Sequence, residues 1–93
     1  MEQAPKHADP TDPDLAAALR RLVLRISRDA YELRERQGWS QRAEAQAAGL
    51  HEETIQRLER GDCDPHLSTL VSLFYIHGYE IQIGLRPTRQ PRQ

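Results

Sequence analysis

The residues best equipped for chemistry crowd into one short stretch, GLHEETIQRLERG, from Gly49 to Gly61. Glu52 and Glu53 head it, and Arg57 and Arg60 close it. Carboxylates at a helix start accept hydrogen bonds and favour the positive end of the dipole; arginines further on donate to anions. The set therefore suits recognition better than catalysis. No nucleophile–base set, no paired acids in a cleft and no glycine-rich phosphate loop occurs in the chain, so no enzymatic activity and no small-molecule substrate is expected. Cys63 and His66 form a CxxH, with His51 and His77 elsewhere. Zinc normally takes four ligands in paired spacing, so neither a metal nor any other cofactor is expected.

The elements around this stretch can be read from periodicity. Asp12-Pro13-Asp14 is a strong helix start, with Asp as N-cap and Pro at the first helical position. Apolar residues then recur at 15, 19, 22, 23, 26, 30 and 33, which is helical spacing. The run closes at Gln37-Gly38 as one long helix or as two broken near Ser27. Ser40 can cap a second helix, QRAEAQAA, stopped by Gly49. If His51 caps the third, Leu50 and Ile55 have the spacing of a hydrophobic staple, and Ile55 and Leu58 share a face. Gly61 to Pro65 is a loop by composition, and a fourth helix carries Leu67, Leu70, Val71, Leu73, Phe74 and Ile76 up to Gly78.

After Gly78 the period changes. Tyr79, Ile81, Ile83 and Leu85 alternate with Glu80, Gln82, Gly84 and Arg86, which predicts a strand over 79–86. One strand cannot satisfy its own backbone groups, and the chain offers no second. Pairing with the same strand of another copy, about a two-fold axis, is the economical solution. A homodimer is expected on that ground.

Ninety-three residues suit one small domain. Residues 1–12 read as a disordered leader, 13–86 as the folded domain and 87–93 as a flexible tail. Net charge is −1, yet it is unevenly spread. Residues 15–42 hold seven arginines against three acids, whereas 43–66 hold Arg57 and Arg60 against six acids. A local basic surface is compatible with that pattern. The N-terminus lacks the apolar core of a signal peptide, no run approaches the roughly 20 apolar residues of a membrane span, and Cys63 has no partner for a disulfide. A soluble, cytoplasmic protein that does not engage membranes is expected.

GWSQRAEAQAAGLHEETIQRLERG resembles the helix-turn-helix of the Xre/Cro/CI class of DNA-binding regulators, a pattern covering about 26–78. Arg34, Gly38, Ser40, Gln41, Ala45, Gly49, Ile55, Leu58, Glu59, Gly61 and Pro65 fit it. The ending, GYEIQIGLRP, is similar to the C-terminal strand of HipB/HigA-like antitoxins, which pairs across a dimer. The resemblance implies a mainly α, lambda-repressor-like bundle of four to five helices, with one C-terminal strand pairing across a homodimer. It implies a partly buried Arg34–Glu59 ion pair. It also places His51, Glu52, Glu53, Thr54, Gln56 and Arg57 on a helix lying in the major groove, and Ser40, Gln41 and Arg42 near phosphate.

Three positions depart from that pattern. Glu52 and Glu53 either stabilise the helix N-terminus or read a base, since a carboxylate can accept from cytosine N4. Glu44 stands where the family normally has a core Leu, so either helix two rotates or the carboxylate finds a partner at the core edge. Asp62 and Asp64 occupy a loop that is often basic. Trp39 stands at a core position and is expected to pack. The expected function is a sequence-specific DNA-binding regulator acting on a palindromic operator, an antitoxin that neutralises a cognate toxin and represses its own operon. The rival is a protein-interaction module that keeps the fold with little DNA affinity, suggested by the acidic block from Glu44 to Asp64.

Overall fold

The computed structural model describes residues 9–88, which form four helices. The first eight residues of the expected leader and the last five of the expected tail lie outside the described residues. Asp9 to Asp12 form a capped turn, with the Asp9 carboxylate accepting from Thr11 N and Oγ1. That turn feeds α1, Pro13–Gln37. Asp12 caps it, accepting from Asp14 N at 2.9 Å, and Pro13 costs nothing where the N–H would be unsatisfied anyway.

α1 runs unbroken through Ser27, so of the two arrangements the sequence allows, one long helix is the one that forms. The reason is local: Ser27 Oγ donates to Glu59 O at 3.1 Å rather than to its own helix, leaving the backbone ladder intact. Val23, Ser27, Ala30 and Arg34 line the buried side, at steps of four, three and four. No residue between Pro13 and Leu22 is buried, and within that stretch Arg20 reaches the body through a hydrogen bond to Gly61 O at 3.4 Å.

α2, Gln41–Ala48, α3, Glu52–Arg60, and α4, Leu67–Tyr75, complete the bundle. α3 packs on both α1 and α2, and α4 closes against α2. Ala30, Ala45, Ile55, Leu58, Leu70 and Leu73 form the core, with Ile26, Leu50, Cys63, Phe74 and Ile81 packed around them. Ile55, Leu58 and Leu73 are fully buried, each contributing about 1.5–3 kcal/mol of transfer free energy.

The chain leaves α4 through a turn at 76–78 and then runs to residue 88 without helix or strand. The alternation expected of 79–86 is present in sequence, but a strand exists only through ladder hydrogen bonds, and one copy supplies no second edge. Ile81 alone of the four alternating side chains packs on the core; Tyr79, Ile83 and Leu85 are exposed, as is Tyr75.

Candidate nucleic-acid interface

The unit α2–turn–α3 is held together by small residues and one left-handed turn. Ala45 is buried between the helices, where a larger side chain would force them apart. Gly49 ends α2 at φ 70°, a conformation costly to any residue with a Cβ, and Leu50 N returns to Ala45 O at 2.9 Å. His51 is the N-cap of α3 by backbone, without a side-chain cap. Thr54 N and Ile55 N both bond His51 O, so the N–H groups of Glu52 and Glu53 have no partner inside the helix.

Ile55 and Leu58 sink into the core and Glu59 turns inward to Arg34, which leaves the other side chains of α3 to the surface and its edges. His51, Glu52, Glu53, Arg57 and Arg60 are exposed, while Thr54 and Gln56 are half-buried at the edges. Gln56 Nε2 lies 3.5 Å from Glu52 Oε2, a long hydrogen bond that turns Glu52 along the helix. Glu53 accepts no such bond among the described residues. Arg60 leans toward Asp62 at 3.6 Å in an exposed pair, which partly neutralises the loop. A cavity of about 300 Å³ lies between α3 and this loop, bounded by Glu53, Arg57, Asp64 and His66.

At α2 the three expected phosphate-side residues divide. Ser40 Oγ accepts from Ala43 N at 3.0 Å and so serves as the cap. Gln41 turns inward, its Nε2 donating to Glu59 Oε1 at 3.1 Å. Arg42 is exposed. The side chain of Gln41 is thus committed to the fold, and its remaining offer to a phosphate is the backbone N–H of the helix N-terminus.

Beneath the surface, Arg34 and Glu59 meet as a bidentate pair. Arg34 Nε donates to Glu59 Oε2 at 2.7 Å and a terminal nitrogen donates to Oε1 at 2.9 Å. The other terminal nitrogen donates to Trp39 O at 2.9 Å. The Glu59 hydrogen bonds raise the guanidinium pKa despite the opposing effect of burial. The pair therefore ties α1, the α1–α2 turn, α2 and α3 to one carboxylate.

Glu44 has a partner that sequence reasoning did not find. Its side chain is fully buried, and Oε2 lies 2.6 Å from His77 Nε2, whose ring is buried as well. His77 stacks on Trp39 with ring centroids 5.0 Å apart. Helix two has no need to rotate: the carboxylate stays in the core and the histidine comes to it from beyond α4. Burial pushes the Glu44 carboxyl above the usual range, while the His77 hydrogen bond opposes that shift. Glu44 Oε1 and His77 Nδ1 have no hydrogen-bond partner. The one sequence signal was a histidine just past an apolar helix, which carries no pairing information by itself.

Arg86 is exposed near the end of the described residues, and Arg89 and Arg92 lie outside them. Among the described residues no cluster of three or more His, Cys, Asp or Glu side chains could hold a metal ion, and no helix is long and apolar enough to cross a membrane. A family model described as a helix-turn-helix domain matches residues 25–79. Comparison with curated proteins and with solved structures gave no match.

Proposed function

Because the chain belongs to the helix-turn-helix domain family, we propose that it is a sequence-specific DNA-binding regulator that sets the exposed face of α3 in a major groove. One observation carries this reading. Ile55 and Leu58 bury one side of α3 completely, which projects Glu53 and Arg57 from a rigid body. Arg57 is the donor for a guanine edge, Glu53 an acceptor for cytosine N4, and Arg42 with the free N–H groups at the start of α2 grips the backbone.

The protein acts as a dimer. Residues 79–86 pair with the same segment of a second copy, satisfying backbone groups that one chain leaves open and covering Ile83 and Leu85. Two-fold symmetry then requires a palindromic operator with half-sites about 10 bp apart or a multiple of that. The similarity of GYEIQIGLRP to antitoxin ends supports a finer role, neutralising a toxin and repressing the shared operon in the cytoplasm.

A mobility-shift titration on the DNA upstream of the gene tests this, run at low and at physiological salt. The expected result is a discrete shift that weakens steeply with salt. No shift at low salt would reject DNA binding and favour the interaction-module reading, which the exposed acids Glu52, Glu53, Asp62 and Asp64 support.

A further inference from the structure

The segment that leaves α4 is tied to α2 at one buried point. Glu44 and His77 meet at 2.6 Å with their side chains 0% and 1% exposed, and the His77 ring lies on Trp39. Beyond that point little holds the chain. Tyr79 N donates to Phe74 O at 3.0 Å and Ile81 packs on the core, while residues 82–87 are exposed. Gly78 follows His77 at φ 86°, so the buried contact adjoins a residue free to take other backbone conformations.

The contact is short of partners. The protein supplies the pair one hydrogen bond, and Glu44 Oε1 and His77 Nδ1 find no partner in the chain. With a proton on the contact the pair carries no net charge, whichever side holds it. Losing that proton leaves a buried negative charge, which is costly without adequate partners. The charged groups that face it are Glu59 from α3, which opposes that charge, and Arg34 from α1, which favours it. Arg34 is already committed to Glu59 by two hydrogen bonds. We propose that Glu44 and His77 form a latch that holds the start of the C-terminal segment on α2 and opens as the pair gives up its proton. Once the latch is open, the carboxylate and the ring both meet water. Burial raises the Glu44 carboxyl above its ordinary value of 4.5, against the opposing hydrogen bond from His77. The closed state therefore holds the proton more tightly, and the open fraction grows as pH rises from 4.5 through the raised value and is level above it. In the proposed dimer the latch fixes how each pairing segment leaves its body; that consequence rests on the dimer, whereas the latch lies within one chain.

The test follows the full-length protein by amide hydrogen exchange, read as protection after correction for hydroxide catalysis, and by the emission of Trp39, the one tryptophan. From pH 4.5 upward, protection at Gly78 and Tyr79 is expected to fall by up to about tenfold per pH unit, the limit for one released proton. Ile55 and Leu58 should keep theirs, and Trp39 emission should change over the same range. Glu44→Gln carries no proton to lose, so both of its profiles should be flat. Glu44→Leu with His77→Leu replaces the pair by apolar contacts, often without loss of stability, and keeps the test open if the glutamine variant misfolds. Protection at Gly78 and Tyr79 should not depend on pH in that variant either. Ile83→Pro, which breaks the proposed strand pairing, should show the wild-type profile, so failure of the dimer would leave the latch standing. A fall shared by Ile55 and Leu58 would mean global unfolding and overturn the latch. A wild-type profile in Glu44→Gln would overturn it as well, as would constant Trp39 emission in the wild type.

Discussion

Glu59 shows how much of this fold can hang on one carboxylate. Its two oxygens receive Arg34 twice and Gln41 once, while its backbone oxygen receives Ser27. Replacing Glu59 by Ala strands a buried guanidinium, and such losses cost about 3 kcal/mol or more. Urea denaturation of Glu59→Ala should show a loss of that size, and an unchanged midpoint would refute the role given to the pair. Glu44 makes a different prediction. Its folded pKa is raised above its ordinary value of 4.5, so between those two values the folded state holds more of the proton than the unfolded state does. Stability attributable to this group therefore falls as pH rises through that window and is level above it. Glu44→Gln keeps a hydrogen-bonding partner for His77 without titrating. Wild type should lose stability relative to Glu44→Gln as pH rises from 4.5, whereas parallel urea midpoints across pH would remove Glu44 from the account.

At the scale of elements, α3 is a helix whose one face is consumed by packing and whose other face is free to read. The acids at its head stabilise it by about 0.3–1 kcal/mol through the dipole, and they stand where a phosphate would otherwise sit. Glu52 is turned toward Gln56 while Glu53 is unengaged, so the two should behave differently. Glu53→Gln is expected to relax preference at one base pair by about 1–3 kcal/mol, whereas Glu52→Gln should leave the ranking of sequences alone. Competition mobility shifts with single-base operator variants measure both, and a uniform gain in affinity from Glu53→Gln would show repulsion alone. The helix boundaries around α3 were legible because each has a local cause. Ser40 caps α2, and Gly49 and Gly61 close α2 and α3 at φ near 70°. The direction of Gln41 was not legible, because its acceptor is 18 positions away on another helix.

At the scale of the whole molecule, the proposed dimer rests on the C-terminal segment, which the body leaves largely uncovered. Ile83 is 73% and Leu85 96% exposed, and an open edge of this kind invites pairing. Ile83→Pro removes a ladder donor from an exposed position and should not disturb the body. It should convert the protein to a monomer by size-exclusion light scattering and weaken operator binding on the order of a hundredfold or more, since one half-site then acts alone. A dimeric Ile83→Pro variant would move the interface elsewhere.

The four helices, the caps at Asp12, Ser40, Gly38, Gly49 and Gly61 and the inward face of α3 were written in the sequence, because periodicity, Asp, Ser and Gly act over a few residues and need no distant partner; α4 ends at Tyr75, short of the expected stop at Gly78. Only tertiary structure decided that the buried Glu44 meets His77, whereas the family resemblance already implied the Arg34–Glu59 pair. Glu44 and His77 lie 33 positions apart and Arg34 and Glu59 lie 25 apart. For the first of these pairs nothing local in the chain names the partner, because a buried charge is satisfied by whatever the packing of helices brings within 3 Å. The same packing left the leucines of early α1 about half exposed: helical spacing marked them as apolar, and the size of the body decided how much of each it covers.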